Sequence, residues 1–195
     1  MDVKDVICPV LGQNVLITPL TLSQVLLQLL RTHFANADKL QFPQLRHLTY
    51  KPDSTTNIII EMPVQPNWEL AGRRPSIFIT SHEVKTFDQE IAGGAFDGIT
   101  GKEEQYARVL NGTTAIEVLA SNPVETLILA CEVYYLLLTL SPAIGKKLPF
   151  NYIKVAGLSP LQPLKEGRDH YIIQIPVIYS YNIYWKINEE APPSE

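Results

Sequence analysis

The clearest periodicity in the chain lies near its C-terminal end. Tyr171, Ile173, Ile175, Val177, Tyr179, Tyr181, Ile183, Trp185 and Ile187 alternate with Gln174, Pro176, Ser180, Asn182 and Lys186. Period two over that length predicts a strand with one buried face. At about 3.3 Å per residue such a strand exceeds roughly 50 Å, and Pro176 marks the expected bend. The segment "EEQYARVLNGTTAIEVLA", residues 103–120, reads as a second long strand. Its Asn111-Gly112 step suits either a tight hairpin turn or a bulge, and we take it as a bend within one strand, because the pattern resumes at Thr113 and leads into a helix. Shorter strands are expected at "NIIIEM" (57–62), "RPSIFITS" (74–81) and "NYIKVAGLS" (151–159).

Two segments carry helical spacing. In "TLSQVLLQLLRTHFANA", Thr21 is the expected N-cap of a helix reaching about Ala35. Gln24, Gln28 and Arg31 make one narrow polar face, and Leu22, Val25, Leu26, Leu29, Leu30 and Phe34 cover the rest. The second helix starts at Asn122, with Pro123 in the first helical position and Glu125 in the first turn, and is expected to end before Ser141-Pro142. Val124, Leu127, Ile128, Cys131, Tyr135 and Leu138 form one apolar stripe. Leu129, Val133, Leu136 and Leu140 form another beside it. Glu125, Glu132 and Thr139 mark the only polar line. One sheet covers one face of a helix, so the surplus face needs a cover, either the first helix or another subunit.

Strands mostly follow one another without alternating helices. That order predicts an α+β domain, with a mainly antiparallel sheet and two principal helices packed on one face. A single domain over 1–195 is expected, with an extended segment at 1–20 and a frayed tail at 188–195.

Hydrophobic residues make up 46% of the 195 positions and charged residues 18%, below the usual ~25%. The net charge is −4, and no run of Lys or Arg exceeds two residues. Tight wrapping of nucleic acid needs a basic footprint that this chain lacks. Cys8 and Cys131 are too few for a zinc site or a disulfide framework. "MDVKDV" does not open like a signal peptide, and Glu125 and Glu132 interrupt the best membrane-span candidate.

The loop "FDQEIAGGAFDGITGKEEQY", residues 87–106, contains four glycines and a Gly-Lys pair. It fails as a phosphate loop. The glycine required five residues before Gly101 is Phe96, and Glu103 follows Lys102 where a hydroxyl should hold magnesium. His33, His47, His82 and His170 show no metal-ligand spacing, and no nucleophile elbow is present. The remaining chemical alternative is a ligand site or enzyme centre assembled from scattered residues such as Arg73, His82, Glu83 and His170.

From residue 74 onward the order is "RPSIFIT", a long glycine-bearing loop, "TTAIEVLAS", "NPVETLILACEVYYLLLTL", "NYIKVAGLSP" and "YIIQIPVIYSYNIYWKI". This order, over about 115 residues, resembles the tail terminator (tail-completion) and neck proteins of long-tailed bacteriophages. The resemblance implies a structural virion protein, folded in the host cytoplasm, that forms a homo-oligomeric ring, commonly a hexamer. Its implied partners are the tail tube protein and the neck or connector proteins, with DNA passing through the lumen unbound. It implies no catalytic residue, cofactor, metal or membrane partner. Another neck position, head closure or connector, is the nearest alternative. Candidate subunit-interface residues are Leu129, Glu132, Val133 and Leu136 on the helix, and Phe87, Ile91, Phe96 and Ile99 on the loop.

Overall fold

The computed structural model describes residues 19–52, 56–63, 74–86, 103–148, 150–164 and 170–188. Helix α1 spans Pro19–Phe34 and α2 spans Pro123–Lys147. The strands are β1 Ile59–Glu61, β2 Ser76–Thr86, β3 Glu103–Ala120, β4 Phe150–Val155, β5 Gln162–Pro163 and β6 Tyr171–Asn188. They form one sheet in the order β1-β2-β3-β6-β4, with β5 also paired to β6. The β1–β2 pair is parallel and every other pair is antiparallel. The fold is α+β with a mostly antiparallel sheet, as the element order predicts.

Both helices lie on one face of the sheet. There, α1 packs over β1 and β2, and α2 over β3, β6 and β4. Alternation along each strand sends Ile77, Ile79, Ile116, Val118, Ile173, Ile175, Val177, Tyr179 and Tyr181 to that face, where they merge with Leu22, Val25, Leu26, Leu29 and Leu30 of α1 in one core. The alternating row of β6 is therefore buried from Ile173 through Tyr181. The opposite face holds a smaller cluster of Ile59, Phe78 and Leu119, with Leu164 and Ile172 against it. Glu117 is buried on that face too, and accepts a 3.0 Å hydrogen bond from Nε2 of its cross-strand partner Gln174.

The spine of the sheet is the β3–β6 ladder, with unbroken register from Glu103–Asn188 to Ala120–Tyr171. Neither expected bend interrupts it. Gly112 faces Tyr179 across the ladder, and a Cβ there would lie 2.5 Å from the tyrosine ring. The glycine makes room for an aromatic ring; it does not turn the chain. The irregularity falls on the neighbouring strand, where β2 carries one extra residue between Ser81 and Val84 opposite Thr114 and Gly112. Pro176 is tolerated because its carbonyl, and with it the nitrogen, points away from β3, to the side where β4 has just ended. There Ala156 N–H donates to the Pro176 carbonyl at 2.9 Å.

The outer strands stop before the ladder does. The last β2–β3 pair is Thr86–Leu110, and β4 first pairs β6 at Phe150–Tyr181, at the same level of the ladder. Beyond it, residues 103–109 and 182–188 pair only with each other among the described residues. These seven pairs form a two-stranded arm about 23 Å long. At its base Phe150, Tyr179 and Tyr181 pack as an aromatic triad, with ring centroids 5.6 to 6.1 Å apart.

Helix α1 starts at Pro19, so Thr21 lies in its first turn, buried, and is not the cap. Gln24 and Gln28 are exposed as expected. Arg31 donates to the Ile60 carbonyl at 3.0 Å and lies over the Tyr50 ring, tying α1 to β1. The glycine-rich loop lies outside the described residues up to its last four, which open β3.

Candidate assembly surface on the long helix

The start of α2 follows the sequence signals. Asn122 caps it, its Oδ1 accepting from the Val124 and Glu125 amides, and Pro123 holds the first helical position. The end does not, for α2 runs through Pro142 to Lys147. Pro142 cannot donate to the Leu138 carbonyl, and the Ser141 hydroxyl reaches that carbonyl instead, at 3.4 Å. Buried Ile144 and Leu148 hold this last turn against the core.

The inward side of α2 is Thr126, Leu129, Ala130, Glu132, Val133, Leu136, Leu137 and Ile144. Small Thr126 and Ala130 let the helix approach the sheet closely. The assignment of Leu129, Glu132, Val133 and Leu136 to a subunit interface is therefore corrected. All four are at most 9% exposed and belong to the monomer's own interior. Phe87, Ile91, Phe96 and Ile99 lie outside the described residues.

Glu132 is the unexpected member of that interior. It is fully buried, and its carboxylate is nonetheless well supplied. His33 Nε2 lies 2.7 Å from Oε1, Gln41 N–H lies 3.1 and 3.0 Å from the two oxygens, and the Phe42 amide donates to Oε2 at 3.1 Å. A buried carboxylate is tolerated only with such partners. Seven residues earlier, two turns along the helix, Glu125 lies 3.5 Å from His47 Nε2. The polar line of α2 is thus a clip. It fastens the segment after α1, with its 3-10 turns at Ala37–Lys39 and Pro43–Leu45, across the long helix. Phe42 is set down beside Tyr135, ring centroids 6.3 Å apart and nearly parallel.

The other stripe faces out. Val124, Leu127, Tyr135 and Leu138 are 61, 48, 47 and 41% exposed, and Ile128, Cys131 and Tyr134 are half-buried along it. They recur at i, i+3 or i+4, and i+7, the spacing of one helix face. From Val124 to Leu138 the stripe runs about 21 Å. Four large apolar side chains in a row, each roughly half exposed, make a patch on the order of a few hundred Å², the size at which surfaces of monomers begin to signal contact. By length and composition α2 is also long and apolar enough to cross a membrane. One side of it is committed to the sheet, however, and Glu132 to the clip.

The buried stripe had a signal of its own. Thr126, Leu129, Ala130, Val133, Leu136, Leu137 and Leu140 continue at helical spacing through Ile144 and Leu148, past the proline. The outward stripe ends at the exposed Pro142. Ending the helix at Ser141 hides the difference between the two.

The scattered constellation is not brought together. His82 and Glu83 sit in the bulge of β2 opposite Thr113, whereas His170 immediately precedes Tyr171, which pairs with Ala120. About eight residues of strand, roughly 25 Å, separate the two levels. Arg73 lies outside the described residues. His33 and His47 are engaged by the two glutamates. Among the described residues no group of three or more His, Cys, Asp or Glu is placed to hold a metal ion. No protein-family model matches the chain, and no curated protein matches it.

Proposed function

We propose that the chain is a structural subunit that assembles side by side into a closed ring, a hexamer, terminating the tail tube of a tailed bacteriophage and joining it to the neck. The observation that carries assembly is the outward stripe of α2. Burying such a stripe against a protein neighbour gains roughly 25 cal/mol per Å² removed from water. A head-to-tail contact that closes on itself yields a ring. The element order that resembles tail terminators supports the place in the virion. The balance of −4 suits a lumen through which DNA slides without sticking. The tube protein and a connector or head-closure protein are the partners of the two ring faces, and the reading extends to another ring of the same neck.

The test is the mass of the purified protein over a wide concentration range by light scattering, followed by electron microscopy of the assemblies. Closed rings of one fixed copy number that cap tail tubes are expected. A strict monomer that leaves tubes uncapped ends this reading.

A further inference from the structure

Resting on that reading of side-by-side assembly, we infer that the next copy supplies an extended strand, which pairs with the outer edge of β4 and lies beneath the exposed flank of α2.

The two ends of the sheet differ. At the β1 end, Ile59 N–H donates to the Pro75 carbonyl at 3.0 Å, so the backbone groups of Ile60 point away from β2. Arg31 takes the Ile60 carbonyl at 3.0 Å, and Ile60 is fully buried. That edge is capped by a side chain. At the other end β4 is the last strand in the order. The bond from Ala156 N–H to the Pro176 carbonyl fixes the alternation along it. Tyr152 and Lys154 turn their backbone groups to β6, and Ile153 and Val155 turn theirs outward. Asn151, Tyr152 and Lys154 are exposed and Ile153 is half-buried. The bulge between Phe150 and Tyr152 confines the regular edge to residues 152–155.

Helix α2 overhangs this edge. It packs over β3, β6 and β4, and α1 holds one of its flanks through His33 and Glu132. At about 100° per residue, Leu127, Tyr134 and Leu138 lie roughly 120–160° round the helix from Glu132, on the flank away from α1. Leu127 and Leu138 are 48 and 41% exposed, and Tyr134 is half-buried. A helix with its side chains is about 10–12 Å across, roughly two strand spacings, so the place of one further strand outside β4 falls under this flank.

The chemistry of the edge selects the occupant. A helix, a lipid surface or another apolar stripe set against the flank would take water from the Ile153 N–H and C=O and return no hydrogen bond. An added strand returns both, and its inward side chains meet Leu127 and Leu138. Lys154, on the far face, favours an acidic or aromatic residue opposite it and opposes another lysine. With β1 capped and β4 open, the sheets of two copies do not join end to end. The strand comes from a different part of the neighbour, and a contact between unlike surfaces is the kind that closes into a ring.

The test is single-amide hydrogen exchange on the assembled protein, with the Leu127→Glu monomer as reference. The Ile153 and Val155 amides should slow at least tenfold on assembly. Those of Tyr152 and Lys154, already bonded to β6, should change less. Ile153→Pro removes only an outward N–H, so it should keep the monomer fold by circular dichroism and weaken assembly at least tenfold relative to Ile153→Ala. If Ile153→Pro does not fold, exchange in the parent decides alone. Assemblies in which Ile153 and Val155 exchange freely overturn the strand and leave ring assembly standing. Protection of Ile153 already present in the Leu127→Glu monomer places the cover within one copy and overturns it too. So does protection that appears only when tail tubes are added, which assigns the strand to the tube protein. Growth that stops at a dimer, or a protein that stays monomeric at every concentration, overturns both the strand and the ring.

Discussion

At the scale of single residues, the pair Gly112–Tyr179 shows how one side chain dictates another. A glycine inside a long strand costs conformational entropy and packs nothing. It persists here because the ring across the ladder occupies its side-chain position. Gly112→Ala therefore sets strand propensity against overpacking. Overpacking wins, because Tyr179 is fully buried within an aromatic triad and cannot step aside. The expected loss is about 1–3 kcal/mol. In thermal denaturation that is a fall of roughly 2–12 °C for a chain this long. In a Tyr179→Leu background the same substitution should cost much less, which a double-mutant cycle would show as coupling. The dipeptide Asn-Gly in the sequence correctly announced something unusual, but its reason lies 67 positions away on another strand, where local chemistry cannot see it. The Tyr179 hydroxyl carries a second consequence. It is buried with no hydrogen-bond partner, although the Thr114 hydroxyl lies close. Burial raises its pKa above 10.0, the Thr114 hydroxyl offsets part of this, and Tyr181 adds to it; burial raises Tyr181 as well. The fold thus favours the neutral phenols. Their contribution is intact below about pH 10 and is lost as the pH climbs from the unfolded value through the folded one. Unfolding titrations should show stability falling above pH 10, with two of the nine tyrosines ionising late in phenolate absorbance. Tyr179→Phe should soften the alkaline loss and leave neutral-pH stability within about 1 kcal/mol, since it removes an unpaired group.

At the scale of elements, helix α2 was legible at one end and misleading in its middle. Asn122, Pro123 and Glu125 act locally, so the start could be read directly; Asn122→Ala should cost about 1 kcal/mol in urea denaturation. The continuation past Pro142 depends on tertiary anchoring of Ile144 and Leu148, which outweighs proline's local preference. Glu132 misled for a related reason. A lone carboxylate on an apolar helix reads as a mark of the solvent side, and only the folded chain brings His33 and the amides of Gln41 and Phe42 to it. Removing it strands three donors. Glu132→Ala is expected to lose about 3–5 kcal/mol, the range for breaking a buried charge-assisted network. Glu132→Gln keeps one carbonyl acceptor and should lose less. Hydrogen exchange would locate the effect, with protection falling first at the Gln41 and Phe42 amides.

At the scale of the whole molecule, the sheet and two helices follow from periodicity, because period two and period 3.6 survive any rearrangement of partners. Which side of α2 faced the sheet did not follow, because both stripes are equally apolar; Thr126, Ala130 and the clip decide it. That division makes a sharp prediction. Leu127→Glu with Leu138→Glu places two charges on the outward stripe, where both side chains already meet water. Urea midpoint and circular dichroism should stay within about 0.5 kcal/mol of the parent for each site, since exposed positions tolerate such changes. Assembly should fall by orders of magnitude, because each charge would have to be desolvated at the contact. Leu129→Glu, two residues along the same helix from Leu127, puts its charge in the core and should unfold the monomer itself. If the double variant assembles as the parent does, the outward stripe is no interface, and the case for a ring loses its main support.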